Sequence, residues 1–353
     1  MLSGIQNYSV KLEIDPKRII ALWGFSEAAF GGILHALQIP LTGMFIGSAA
    51  VIFITLIAHY SKNRYSILQA TITVIIIKAV ISPHSPLAAY FAVALQGLLG
   101  YLFFSFIPFE KIAALLLGFF SLLFSALQKF ILVTIVFGNT LWKSIDDFVN
   151  YILSQVNITL FDHSLSFSIL LIGLYTLVHV GVGIYVGVKA PLLPSRLKNK
   201  SYLFTDTFKN YLTEDIFEKQ KTRSHKRWWK RLTGIALIIF FVLLMILSYF
   251  SSDFQQNRAY EIFIMLIRSI VITFLWFVVL SPYVIKWFNG FIEKNKFTRA
   301  SEINRVTGLF PEFRRIINYT WKASSHLKNF RRFRKFFSDS LVLLLITNID
   351  VNE

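Results

Sequence analysis

Seven polar or ionisable side chains set in or beside apolar runs carry the chemistry this sequence offers: Glu27, His35, Gln38, Lys78, His84, Tyr90 and Gln96. A carboxylate and an ammonium in hydrocarbon are each too costly to leave alone, so by default they face protein or water and mark a functional site. Paired, Glu27 and Lys78 would offset one another's burial. Two imidazoles, two amides and a phenol add hydrogen-bond donors and acceptors. That set suits a small polar or anionic solute. By ligand type His35, His84 and Glu27 would also suit nickel, cobalt or zinc, but their spacing is that of no recognised site, so neither a metal nor another cofactor is expected.

Catalytic signatures are thin. No GxxxxGK[ST] phosphate loop, HExxH pair or GxSxG elbow occurs in the chain, and each of those chemistries depends on its spacing. No catalytic residue is assigned and the reading leans away from an enzyme. With no cysteine, disulfides and thiolate chemistry are excluded.

These side chains need elements to hold them, and composition says which. The 353 residues are 55% hydrophobic and only 16% charged, with mean hydropathy +0.59, a balance that belongs to membrane proteins. The net charge of +17 does not call for nucleic acid: the Lys and Arg lie between or after the apolar runs, where anionic headgroups and the positive-inside rule account for them. The expected fold is therefore all-α, a polytopic membrane helix bundle.

Apolar runs of about 20 residues fall near 19–38, 41–59, 66–82, 87–107, 111–137, 164–188, 233–250 and 261–288, about eight spans. Pro40, Pro83, Pro86 and Pro108 break them at the joins. Residues 1–18 lack the apolar core and cleavage site of a signal peptide, so the first span is expected to direct its own insertion. Lys11, Lys17, Arg18, Lys62, Arg64 and the cations of 189–232 all fall on one side if every span crosses once. That side is expected to be cytoplasmic, with both termini on it, in a bacterial inner membrane. Counting 1.5 Å per residue, Lys78 lies roughly 18 Å along the third span and Glu27 near mid-depth of the first. His35, Gln38, His84 and Tyr90 would then form the outer mouth of a site, with Glu27, Lys78 and Gln96 deeper. His179, beside Gly181 and Gly183, reads as a helix-to-helix hydrogen-bonding residue.

Composition divides the chain into a six-span module, 1–190, a charged connector, 191–232, a two-span module, 233–290, and a basic amphipathic tail, 291–353. Trp228 and Trp229 sit among cations before a span, a combination that anchors a helix at the headgroup layer. In the tail, Leu309, Phe313, Ile316, Ile317 and Trp321 recur at helical spacing, with Arg314, Arg315 and Lys322 elsewhere around the helix, and Arg331, Arg332 and Arg334 follow as further lipid or partner contacts. Such helices lie on lipid or dock on a partner. The expected partners are the bilayer and a cytoplasmic or membrane protein.

Six closely spaced spans in about 190 residues, short outer turns with polar residues and no ATPase motif resemble, in size and layout, the substrate-binding component of energy-coupling-factor transporters. The resemblance covers residues 1–190. It implies capture of a vitamin, metal ion or precursor from outside, with a second membrane subunit and separate ATPases as partners. Nickel- and cobalt-binding members share an N-terminal Met-His, where this chain has Met1-Leu2; Thr298, Arg299 and Ala300 stand apart from the Ala-Arg-Gly signature of the second subunits. The leading expectation is a transport-related protein that binds a solute from outside. The alternatives are a non-catalytic scaffold subunit and a membrane enzyme acting on lipid or prenyl substrates.

Overall fold

The computed structural model describes residues 14–32, 41–82, 85–155, 166–201 and 256–346. His35, Gln38, His84, Trp228, Trp229 and the expected span 233–250 lie outside them. The described residues are helical throughout, without a strand. Among the described residues, five helical stretches are long and apolar enough to cross a membrane: Thr42–Tyr60, Leu87–Phe106, Glu110–Phe137, Phe167–Lys198 and Tyr260–Thr298. Ser66–Ile81 is apolar but shorter. These helices make the chain an integral membrane protein. The last stretch continues ten residues past the boundary expected at 288, and the added residues NGFIEKNKFT are mostly polar, so the helix outlasts the apolar run.

Contacts divide the chain into two compact units, Met1–Phe130 with Leu170–Tyr211 and Tyr283–Glu353, and Ile131–Ile169 with Leu212–Pro282. In the first, α1 (Pro16–Phe25) starts at Asp15, whose side chain accepts a hydrogen bond from Lys17 N at 2.9 Å, with Pro16 in the first turn, the position where a missing N–H costs nothing. It runs directly into a π-helical turn, Ser26–Phe30. Then follow α2 (Thr42–Tyr60), α3 (Ser66–Ile81), α4 (Leu87–Phe106) and α5 (Glu110–Phe137). Helix α1 packs on α2 and α3, and α4 covers both of those.

Small residues set the helix spacing. Gly97 lies against the side chain of Thr71, and Gly100 against Ile54. A close crossing of backbone on backbone joins α5 to the helix Phe167–Lys189. There a Cβ on Gly187 would meet Leu115 Cα at 2.7 Å, and Gly118 and Gly183 each face the other's carbonyl oxygen. Only residues without a Cβ permit two backbones to approach this closely. The spacing Gly183-x-x-x-Gly187 was present in the sequence, but its partner Gly118 had no local signal.

Two elements of the second unit are α6 (Asn139–Gln155) and the first residues of α7 (Phe167–Lys189). Asp146 of α6 caps the N-terminus of α7: Ser168 N donates to it at 2.7 Å and Ser168 Oγ at 2.9 Å, and Ser166 Oγ also donates. A carboxylate here also faces the positive end of the helix dipole. Partial burial is the largest single influence and pushes the Asp146 carboxyl upward, but the three hydrogen bonds together outweigh it and hold it below its ordinary value. A depressed folded-state value stabilises the fold at pH above the ordinary carboxylate range, and that stabilisation is lost as pH falls through the depressed value. Asp146→Asn is therefore expected to remove the acid-dependent part of amide protection at Ser168 and Ile169, and Asp146→Ala to weaken the cap by roughly 1 kcal/mol, both read by hydrogen exchange between neutral and acid pH.

The remaining elements belong to the first unit except where stated: α8 (Leu193–Ser201), α9 (Gln256–Phe274) and a π turn at Leu275–Leu280, both in the second unit, then α10 (Ser281–Thr298, first unit from Tyr283), α11 (Ala300–Gly308), α12 (Phe310–Ala323) and α13 (Asn329–Ile346). Helices α12 and α13 pair as a hairpin. Their apolar side is used within the chain: Phe313 and Ile316 are fully buried, as are Val306 of α11 and Leu345 of α13. Both α11 and α13 pack on α1, α11 also on α3, and α13 on α8. Arg18 holds this arrangement. Its guanidinium donates to Glu312 Oε1 at 2.7 Å and to Leu344 O at 3.0 Å and lies 5.7 Å from the centre of the Phe313 ring.

Candidate site in the membrane bundle

The π turn places Glu27 where α1 meets α3. Gly31 N donates to Ser26 O five residues back, so the helix widens by one residue at the position of the carboxylate. Turns of this kind recur at functional sites. Lys78 Nζ donates to Glu27 Oε2 at 2.8 Å, with the two side chains 6% and 1% exposed. The pair is shut away from solvent. The second carboxylate oxygen, Oε1, has no hydrogen-bond partner among the described residues, and neither does the indole Nε1 of Trp23, which is turned toward the same carboxylate outside hydrogen-bond geometry. A buried charge with half its acceptor capacity open is costly unless something else fills it.

Tyr90 sits beside the pair and not at an exposed mouth. It is 6% exposed, and Lys78 Nζ lies 5.8 Å from the centre of its ring. The reason is register: Lys78 is one turn from the end of α3 and Tyr90 one turn from the start of α4, so the two share a level. The Tyr90 hydroxyl donates to Ser82 O at 3.2 Å. Beyond it the hydroxyls of Ser82 and Ser85 are 2.9 Å apart at the turn between the helices, and Gly32 lies against Ser82. Phe288 of α10 packs on the Tyr90 ring with centroids 4.8 Å apart. A polar column thus runs from the ion pair through Tyr90 to the Ser82–Ser85 turn.

Gln96 is buried two turns further along α4 and lies against Gly47 of α2, with Oε1 unpartnered among the described residues. The structure therefore brings Glu27, Lys78 and Tyr90 together and sets Gln96 apart from them. His179 does not make the expected helix-to-helix bond. Its Nδ1 pairs with Tyr175 O of its own helix at 2.9 Å and its ring packs on Tyr175, because the preceding turn of α7 offers a carbonyl at the right spacing. Gln128 Nε2 donates to Ala88 O at 3.1 Å and ties α5 to the start of α4.

Three contributors were not singled out from sequence: Trp23, Ser82 and Ser85. A signal existed for the serines, which flank the turn in SPHSP. No group of three or more His, Asp or Glu among the described residues is arranged to hold a metal ion. In the second unit an open apolar groove along one helical stretch, lined by Ser269, Thr273, Phe274 and Phe277, carries no ionisable side chain. Comparison with known protein families, with curated proteins and with solved structures finds no match.

Proposed function

We propose that the chain is a transport-related membrane protein that crosses the bilayer about eight times with both termini cytoplasmic, and that its first module takes a small polar or anionic solute from the outer side. One observation carries this reading. The Glu27–Lys78 pair keeps a carboxylate oxygen that no group among the described residues fills, and it is joined through Tyr90 to the Ser82–Ser85 turn, a turn that the positive-inside rule assigns to the outer face. Tyr90 and its Phe288 neighbour close the column, so a solute enters by displacing them, and a hydrogen-bond donor of the solute then fills Glu27 Oε1 while Lys78 stays on Oε2. Binding in this way leaves the buried ion pair intact, which avoids the cost of uncompensating either charge.

The test is native mass spectrometry of the purified full-length protein, with and without membrane-impermeant maleimide on Ser85→Cys in whole cells. The reading expects a retained small polar molecule, loss of that molecule in Tyr90→Ala, and slower Ser85→Cys labelling from outside when the molecule is supplied. Protein that retains nothing, together with labelling that no solute extract slows, defeats it.

The scaffold reading has its own supporting observation. Glu27 and Lys78 are closed upon one another, as two charges that only pin α1 to α3 would be.

A further inference from the structure

The hairpin of α12 and α13 uses its apolar side in two different ways along its length. In the second half of α13, Val342, Leu343, Leu344 and Leu345 are buried within the unit. In the first half, Phe330, Phe333 and Phe337 are 79%, 52% and 60% exposed. Those three recur at helical spacing on one side of the helix. Trp321 of α12 adjoins them, edge-on to Phe333 at 5.8 Å and to Phe336 at 5.1 Å, and is itself 39% exposed. The Arg332 guanidinium covers the indole at 4.0 Å, which leaves the outer edge of the ring cluster free.

Charge around this stripe has a single sign. Between residues 321 and 337 the sequence holds six Lys and Arg and no Asp or Glu. Arg331, Arg334 and Lys335 are exposed on α13 beside the aromatic stripe. Aromatic rings bordered by cations on a helix form the pattern that settles at a lipid headgroup layer, with rings in the acyl boundary and cations among phosphates.

Position makes the bilayer the nearest surface of that chemistry. Arg18 marks the start of the first apolar run, and it holds Glu312 and Leu344 directly. At 1.5 Å per residue, Trp321 is roughly 13 Å along α12 from Glu312, within reach of the headgroup layer. The same end of the unit carries Lys62, Arg64, Lys189 and Arg196, the side that the positive-inside rule makes cytoplasmic. An acidic protein would satisfy the cations but would not account for three phenylalanines presented beside a membrane the chain already occupies.

We infer that the α12–α13 hairpin is a second membrane contact, seated in the cytoplasmic headgroup layer through Trp321, Phe330, Phe333 and Phe337 and selective for anionic phospholipid through Arg331, Arg334 and Lys335.

The chain has no cysteine, so Phe333→Cys gives a unique site for an environment-sensitive fluorophore, and Phe337→Cys a second reporter should the first misfold. The full-length labelled protein is placed in detergent, in phosphatidylcholine nanodiscs, and in nanodiscs containing phosphatidylglycerol. The expected result is a blue-shifted emission and loss of iodide quenching only with phosphatidylglycerol, reversed by high salt and abolished by Arg331→Glu, Arg334→Glu and Lys335→Glu together. Three results overturn the inference. Equal quenching in all three conditions shows a solvent-facing surface or one reserved for a protein. Equal protection in all three, detergent included, shows a face covered by another segment of this chain. Protection in both lipids alike removes the selectivity for anionic lipid.

Discussion

Lys78→Met in the full-length protein is expected to lower stability by about 3–5 kcal/mol, the cost of leaving a buried charge without its partner. Glu27 would then be a carboxylate 1% exposed facing a thioether and Trp23 Nε1, which has no hydrogen-bond partner among the described residues. Glu27→Gln should also destabilise the protein, since Lys78 loses its counter-charge and is left, among the described residues, with a neutral amide acceptor and the Tyr90 ring at 5.8 Å. The double variant Glu27→Gln with Lys78→Met is expected to regain most of the loss, because replacing both members of a buried pair by neutral groups of like size is often close to neutral. Thermal unfolding of all four proteins in detergent gives the cycle. It also divides the two functional readings. If the pair is a strut, the double variant recovers stability and every activity of the protein; if the pair receives a solute, it recovers stability while binding stays lost.

Arg18→Ala is the second large effect. It removes a buried guanidinium that joins α1 to Glu312, to Leu344 O and to the Phe313 ring. Truncating one member of a buried charged pair costs about 2–5 kcal/mol; Glu312 is 33% exposed, which sets the loss at the lower end, and each 1.4 kcal/mol is about tenfold in an equilibrium. Docking of the hairpin on α1 should weaken by more than tenfold, so that trypsin cuts the 322–335 segment correspondingly faster while α2 to α4 resist. Arg18→Lys retains the charge but not the bond geometry to two acceptors at once, and should fall between the wild type and alanine. Equal proteolysis in all three proteins would show that apolar packing of Phe313 and Ile316 alone holds the hairpin.

The pairing of Glu27 with Lys78 was legible in the sequence because both charges interrupt apolar runs and depth can be counted from the run boundaries. Tyr90 was legible as a participant but not at its level. Distance from the start of α4 had to be set against distance from the end of α3, and the turn between them is short. Arg18 was read only as a topology signal. Its structural role had a trace, since Glu312 is the sole acid between Glu302 and Asp339, a lone carboxylate in a cationic tail that calls for a specific cation. Gly118 was illegible because the other half of its contact lies more than sixty residues away. The π turn was illegible as well: SEAAF contains good helix formers, and nothing in local propensity marks an i to i+5 bond.

That turn has a consequence for the geometry of the first helix. Adding one residue to a turn advances everything after it by roughly 100° relative to an uninterrupted α-helix. Residues up to Trp23, fully buried in the bundle, and residues from Gly31, which faces Ile46 of α2, therefore follow two rotational phases, with Glu27 at the change between them. A side chain at such a phase change is held by neither helical frame alone, and a one-residue slip between the frames would swing its carboxylate away from α3 without breaking the helix.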